Sequence, residues 1–502
     1  MSRPDVVRPA AQRAAGGTKR LPEGAPPQGG TLVASLDRAL DVVSPRTLRW
    51  AVPETDRGEG ITSVERRRLL APDEDHDAVG ALLRRQGFRP VASAPWCRLP
   101  GASDWYGVDD GEATLVHVCL QRRLVLGSAA GGWLPIGDEG ASVPAHSHAG
   151  ASVSAMSRAL ALCEHALSDG SAIARAGTDV RGGREALHAA FTALFGPGAA
   201  TRLLDAVDDD DAAALRRRLH ELTPGLSTVE RLRALARRTR SRLAALNGAG
   251  PRLPLLARRA RTEPMAAIAI IGSDGSGKST VSRWLAETLD AAFGARFLYF
   301  GTGDGPGSPL RRVLNGLKRR SRFGGEARPG KSPAAARSRP AGNTAPASLR
   351  LVWAAVVAWE RLGKMRALTR ARRARFVVVT DRYPQNEQGG IHDGPRLNDL
   401  LERRAGDPLR VLARFEQSVY ARLARQAPDR VLLLDVPFEL ALQRRPEEPE
   451  AELRRRVAVA RALRYEGAPR LVIDATEPLP TVKARSLRAA LDALSRDDDR
   501  GL

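Results

Sequence analysis

The hydrophobic pattern changes character near the middle of the chain. In the C-terminal half, unbroken apolar runs of strand length stand between amphipathic segments. They are Ala266-Ala267-Ile268-Ala269-Ile270-Ile271, Phe297-Leu298-Tyr299-Phe300, Phe376-Val377-Val378-Val379, Val431-Leu432-Leu433-Leu434 and Leu471-Val472-Ile473. A run without polar alternation fits a strand buried on both faces, as in a parallel sheet covered by helices. After the first run, Val281, Trp284, Leu285, Thr288, Leu289 and Ala292 recur at helical spacing, and a further helix is expected from Leu479. This alternation predicts an α/β domain over 265–496, a parallel sheet flanked by helices.

The N-terminal half reads differently. Between 31 and 150, short strand-like runs such as Ala113–Leu120 accompany one clear helix, Asp77 to Gln86, closed by Gly87. This is an α+β pattern, and Gly137–Gly150 is a Gly/Ser/His-containing break. Over 151–248, Leu and Ala recur at helical spacing, including the run from Thr228 to Leu246. Residues 1–30, rich in Pro, Gly, Ala and Arg without periodicity, are expected to be disordered. A linker is expected over 249–264, and a mobile low-complexity insertion of Gly, Pro, Ala, Arg and Ser over 324–348.

At 502 residues the chain exceeds one ordinary core. Its formal charge of +22 invites a nucleic-acid reading, but 73 of its 79 basic residues are Arg and only 6 are Lys. That bias fits a GC-rich coding genome, with Arg on ordinary solvated helix faces. Aromatics are only 4%, and no RNA-binding aromatic signature, zinc finger or basic-region heptad appears, so nucleic acid is not the expected partner. Cys97, Cys119 and Cys163 lack a C-x-x-C spacing and read as reduced, buried thiols. No secretory h-region opens the chain, and the longest apolar stretch, Leu351 to Trp359, is far short of a membrane span. A soluble cytoplasmic protein is expected.

The first apolar run leads into Gly272-Ser273-Asp274-Gly275-Ser276-Gly277-Lys278-Ser279-Thr280, which matches G-x-x-x-x-G-K-[ST]. Glycines let successive backbone N–H groups point inward at phosphate oxygens, at the positive end of the following helix. Lys278 would reach the β- and γ-phosphates and the Ser279 hydroxyl would ligate Mg²⁺, so ATP with Mg²⁺ is the expected nucleotide. A second constellation is the strand ending in Asp381-Arg382-Tyr383. A doubly wound sheet gathers ligands at the carboxyl ends of its strands. Asp381 there could hold Mg²⁺ or accept the proton of an attacking hydroxyl, and Arg382 could pair with phosphate oxygens. A strand-end salt bridge is the plainer alternative.

With Pro428-Asp429-Arg430-Val431-Leu432-Leu433-Leu434-Asp435-Val436-Pro437, Arg444-Arg445 and Val472-Ile473-Asp474-Ala475, these motifs make residues 266–495 resemble the thymidylate kinase branch of P-loop kinases, a nucleoside monophosphate kinase-like fold. The resemblance implies that Asp381 sits near the transferred phosphoryl group and Mg²⁺, and that Arg382 touches the acceptor. It also implies that Arg444 and Arg445 open a lid over ATP. The match fails where thymidylate kinases recognise thymidine. Phe297–Phe300 leads into Gly301-Thr302-Gly303-Asp304-Gly305-Pro306-Gly307-Ser308, not Arg-Glu-Pro-Gly-Gly-Thr. The segment after Tyr383 reads Pro384-Gln385-Asn386-Glu387-Gln388-Gly389-Gly390-Ile391-His392-Asp393-Gly394-Pro395, without the Ser…Tyr-Gln pattern. Asp304, Tyr383, Gln385, Asn386, His392 and Asp393 then become acceptor candidates that suit a hydroxyl-rich small molecule at least as well as a pyrimidine.

Residues 40–136 faintly resemble the nucleotidyltransferase-like domains fused to such kinases. The paired carboxylates that fold needs for its metal ions are missing where Ile61-Thr62-Ser63-Val64-Glu65-Arg66 stands, so the alternatives are a degenerate accessory domain of that type and an unrelated α+β domain. An ATP-binding regulatory or scaffold protein and a nucleic-acid-stimulated NTPase are the rival readings. Nothing in the sequence requires or forbids a homodimer.

Overall fold

The computed structural model describes residues 31–52, 64–91, 99, 101–128, 132–135, 152–168, 183–222, 265–301, 347–404 and 406–495. The expected disordered segment 1–30, the linker 249–264, the break 137–150, the run 228–246 and most of the insertion lie outside them.

The N-terminal part runs α1 (Leu32–Val43), β1 (Leu48–Ala51), β2 (Val64–Leu70), α2 (His76–Arg85), β3 (Arg89–Pro90), β4 (Ala102–Asp109) and β5 (Thr114–Gln121). The Thr31 hydroxyl caps α1 by accepting from Ala34 N–H at 3.2 Å, and Gly87 turns the chain out of α2 at φ +86°. The strands form a mixed sheet in the order β1-β2-β5-β4-β3, in which only the β2–β5 pair is parallel. One face packs Trp105, Val116 and Val118 against α1 and α2. After the hairpin of β6 (Val125–Ser128) and β7 (Gly132–Pro135) come α3 (Val153–Ser168), α4 (Arg184–Phe195), α5 (Pro197–Asp208) and α6 (Ala212–Glu221). These helices share a core with Leu48, Trp50 and Leu126. A buried ion pair ties them to the sheet, Arg68 to Glu164 at 2.9 Å.

The C-terminal part runs β8 (Ala267–Gly272), α7 (Lys278–Phe293), β9 (Ala295–Tyr299), α8 (Ala347–Arg373), β10 (Val377–Asp381), α9 (Pro408–Ala424), β11 (Arg430–Asp435), α10 (Phe438–Arg444), α11 (Glu450–Ala462), β12 (Arg470–Asp474) and α12 (Leu479–Leu494). All strand pairs are parallel, in the order β12-β11-β8-β10-β9. The continuous apolar runs explain this arrangement: every residue of β8 and β10 is buried. Helices α7 and α12 cover one face, and α8 and α9 the other. The insertion expected to extend to Ser348 gives way to helix at Ala347, because Leu351, Ala354, Val357, Ala358 and Met365 supply the inward stripe that α8 packs on its neighbours.

The two parts share one core. Val64, Tyr106, Val108 and Leu115 of the N-terminal sheet join the cluster containing Phe293, Leu487 and Leu491 of α7 and α12. The Tyr106 ring lies 4.3 Å from that of Phe293. Arg66 donates to the Ala291 carbonyl at 3.1 Å, and Arg89 pairs with Asp492 at 2.9 Å. No helix among the described residues is long and apolar enough to cross a membrane.

Candidate functional site

β8 ends in the centre of the parallel sheet, where successive connections turn to opposite sides, and a loop of special backbone geometry follows it. Gly275 and Gly277 adopt φ of +85° and +81°, which side-chain-bearing residues rarely do. A Cβ on Gly272 would lie 2.6 Å from the Ser276 hydroxyl oxygen and 2.7 Å from the Leu434 carbonyl oxygen. The loop thus curls tightly against β11 before α7 begins at Lys278.

Asp381, at the carboxyl end of β10, is neighbour to this loop because β8 and β10 pair directly. The Ser279 hydroxyl donates to Asp381 Oδ2 at 2.6 Å. The other carboxylate oxygen, Oδ1, is buried without a hydrogen-bond partner, in a residue only 1% exposed. A buried acceptor with nothing to accept from is costly, and a cation held between Ser279 and Asp381 would satisfy it.

Asp274 is the electrostatic centre of the site. Its Oδ1 accepts from Lys278 Nζ at 2.9 Å and from Arg382 at 2.8 Å, and its Oδ2 from Arg456 at 2.6 Å. Burial alone would raise its pKa, but Lys278, Arg382 and Arg456 outweigh it and hold the carboxyl well below the usual range. Burial and the nearby Arg382 lower the pKa of Lys278, against the pull of Asp274. Burial opposes the charge of Arg382 too, yet Asp393 and Asp274 raise its pKa further. Arg382 itself takes a left-handed conformation, φ +68°, which turns the chain sharply at the strand end.

Residues expected from sequence are therefore brought together in part. Ser273, Asp274, Ser276, Lys278, Ser279, Asp381 and Arg382 converge. Arg444 lies against the loop, donating to the Gly275 carbonyl at 3.0 Å and to that of Ala475 at 3.4 Å. Arg445 also lays its stem against Gly275, and its guanidinium pairs with Glu447 at 3.2 Å on the exposed side. Asp393 is buried behind Arg382, at 3.9 Å from its guanidinium, and is held by Arg361. Asp304 lies outside the described residues.

Two expected acceptor contacts are corrected. Tyr383 is 1% exposed and faces the core, its hydroxyl donating to the Gln426 carbonyl and its ring packed on Phe300 and Tyr465. Gln385 is also 1% exposed. Its amide donates to the carbonyls of Gln388 and Ile391 at 2.8 and 2.9 Å, and its oxygen accepts from Gln388 N–H at 2.8 Å. It staples the loop over 385–394 and has no group left for a ligand. Arg456 of α11, which grips Asp274, is a site residue that the sequence motifs do not single out. Its only signal is the charged stretch Pro446 to Arg456, which follows the more conspicuous doublet Arg444-Arg445.

No family model matches the chain. Over 242 residues, 47% of this chain and 90% of the relative, it is 29% identical to the uncharacterized ATP-binding protein YghR of Escherichia coli K12. Over 244 residues, 46% of this chain and 95% of the relative, it is 29% identical to the uncharacterized ATP-binding protein YghS of the same strain. A thymidylate kinase structure from Ehrlichia chaffeensis aligns over 44% of this chain and 96% of its own, at 15% identity and a TM-score of 0.25.

Proposed function

We propose that the C-terminal part is an ATP- and Mg²⁺-dependent phosphotransferase of the thymidylate kinase-like type, acting on a hydroxyl-bearing small molecule. The observation that carries this reading is the convergence of Lys278, Ser279 and Asp381. Lys278 and Ser279 open α7 behind β8, Asp381 ends β10, and the two elements meet through the 2.6 Å contact of Ser279 with Asp381. The two relatives described as ATP-binding proteins support the nucleotide.

In this reading the loop amides and Lys278 hold the triphosphate, and Lys278 leaves Asp274 to do so. Ser279 and Asp381 are the fitting metal ligands, and a bound Mg²⁺ supplies neutralisation of the phosphate charge. In this reading the Asp381 carboxylate also accepts the proton of an attacking hydroxyl. Arg382, turned into the site and fixed by Asp274, orients the acceptor, and Arg456 and Arg444 bring positive charge to the loop. The N-terminal sheet is read as an accessory unit, and the Asp104–His117 pair, at 2.9 Å, is assigned no chemistry.

The test is ADP release by the purified chain against nucleotides, nucleosides and free sugars. Thymidylate is expected to be a poor acceptor, because both segments that should recognise it depart from the thymidylate kinase pattern. A site built for one acceptor rejects others by ~10⁴ or more when its polar groups are left unpaired. Efficient, saturable turnover of thymidylate in preference to all other acceptors would overturn that expectation.

A further inference from the structure

The loop that follows β10 concentrates backbone strain around one carboxylate. His392 and Asp393 are consecutive, neither is glycine, and both take left-handed conformations, φ 44° and 63°. Such residues persist where surrounding contacts over-determine them, and they gather at functional sites. The contacts are present here. The Gln385 amide donates to the Ile391 carbonyl at 2.9 Å, and His392 is tied to the Arg456 carbonyl at 2.6 Å. The double turn carries the Asp393 side chain inward, to 6% exposure. There Arg361 of α8 grips its Oδ1 and also donates to its carbonyl at 3.0 Å. Arg361 is itself 1% exposed and bonds the Tyr420 hydroxyl.

The free end of that carboxylate faces the residue assigned to the acceptor. Asp393 Oδ2 lies 3.9 Å from one terminal nitrogen of Arg382, and Asp274 Oδ1 lies 2.8 Å from the other. Arg382 is thus flanked by a carboxylate on each side. When ATP draws Lys278 and Arg456 toward its phosphates, Asp274 is left to Arg382. The cations around this centre are balanced in the same way. Arg396 lies near Arg361, under the pull of Asp393 and Glu416, and Lys364 Nζ donates to the Tyr299 carbonyl at 2.6 Å.

A guanidinium already facing two carboxylates has little to offer a third anion. A phosphate or carboxylate on the acceptor would also approach Asp274 and Asp393 themselves, and like charges meeting in a partly desolvated site select against a partner. A hydroxyl meets no such penalty. It donates to a carboxylate and accepts from a guanidinium, so the same mixed surface satisfies it in both directions.

We propose, resting on the phosphotransferase reading, that Asp393 is a specificity-determining residue that reserves Arg382 for an uncharged polyhydroxyl acceptor, against acceptors that already carry phosphate or carboxylate. The γ-phosphoryl passes to an acceptor hydroxyl oxygen, its bond to the β-phosphate oxygen breaks to release ADP, and the hydroxyl proton goes to Asp381. The first test is ADP release with matched pairs, free sugars and nucleosides beside their monophosphates. The best acceptor should be uncharged, with its monophosphate lower in kcat/KM on the order of a hundredfold or more. A monophosphate or a sugar acid as best acceptor overturns the proposal. The second test needs no turnover. With Mg²⁺ and a non-hydrolysable ATP analogue saturating, orthophosphate should leave the melting temperature of the wild type unchanged. Asp393→Asn should gain a rise with orthophosphate, and adding Arg382→Gln should remove it. Since Asp393→Asn leaves Arg361 buried without its counter-charge, Arg361→Met with Asp393→Asn serves as the second variant. A merely structural Asp393 would lower the melting temperature and create no response to phosphate. The proposal fails if the saturated wild type already responds and Arg382→Gln abolishes that response, or if neither Asp393 variant gains one. If no compound of either set releases ADP, the phosphotransferase reading fails, and the orthophosphate titration still decides whether Asp393 closes Arg382 to anions.

Discussion

The described residues contain two five-stranded sheets, and they use their polar residues in opposite ways. In the N-terminal sheet, the buried charged and amide side chains close on one another. Arg68 is sealed between Glu164 and the carbonyls of Val125 and Gly127, Gln121 bonds Val125 in both directions, and Asp104 is bound to His117. In the C-terminal sheet, the polar residues stand at the carboxyl ends of the strands and do not close. Asp381 keeps an unpartnered buried oxygen, and Lys278, Arg382 and Arg456 crowd on a single carboxylate, Asp274. Satisfied polar groups stabilise and specify a fold. Groups kept buried and imbalanced lower stability locally, and they are where ligand chemistry is expected.

The comparison breaks most visibly at Asp381. Asp381→Asn should leave ATP binding nearly intact and reduce turnover by ~10²–10⁴, as loss of a catalytic carboxylate does. Lys278→Ala serves as the contrasting control, because it removes the phosphate contact and should weaken ATP binding itself. Isothermal titration separates the two. An Asp381→Asn variant that retained most of its turnover would place Asp381 among the closed, structural groups.

At the other sheet the largest effect should be on stability. Glu164→Ala leaves the buried Arg68 guanidinium without its counter-charge, which typically costs about 3–5 kcal/mol. Burial raises the pKa of Glu164 against the pull of Arg68, in keeping with a carboxylate far from solvent. The expected outcome is a lower melting temperature with ATP affinity retained below the transition. If affinity fell in proportion, the packing of Tyr106 on Phe293 would couple the two sheets, and the N-terminal unit would be part of the nucleotide site's support.

The C-terminal sheet was legible because its determinants are local. Each buried strand is an unbroken apolar word, and the glycine loop must be contiguous to curl. What sequence missed there depends on side-chain direction. Tyr383 and Gln385 lie beside Arg382 in the chain, but the left-handed turn at Arg382 sends it into the site while Tyr383 enters the core and Gln385 is taken up by its own loop. Arg456 reaches Asp274 across 182 positions of sequence, a distance no local pattern encodes. The N-terminal sheet was legible only as strands and a helix. Its order and its docking on α7 depend on which alternating residues face which neighbour, and Val64, Tyr106 and Val108 carry no mark that they complete another sheet's core.

The smallest effect tests whether the imbalance at the site extends into the loop behind it. His392 takes a left-handed conformation, φ 44°, and its Nε2–H donates to the Arg456 carbonyl at 2.6 Å. The loop is thereby tied to the helix that carries the third cation on Asp274. Burial lowers the pKa of His392, with Arg382 adding to the effect and the Arg456 carbonyl, Asp393 and Asp274 opposing it. The sign follows from linkage. Above the ordinary histidine range, near 6.5, the folded and unfolded chains both hold it neutral and it adds no pH dependence. Below that range the unfolded chain takes up the proton first, so stability falls with falling pH until the folded imidazole titrates as well. His392→Asn keeps a residue that tolerates the left-handed backbone and removes the titration. Chemical denaturation of wild type and variant between pH 7.5 and 5 should give curves that diverge only on the acid side, with the shallower fall in the variant. Parallel curves would show that His392 is solvated enough to titrate alike in both states, and that the loop behind Arg382 is not held by α11.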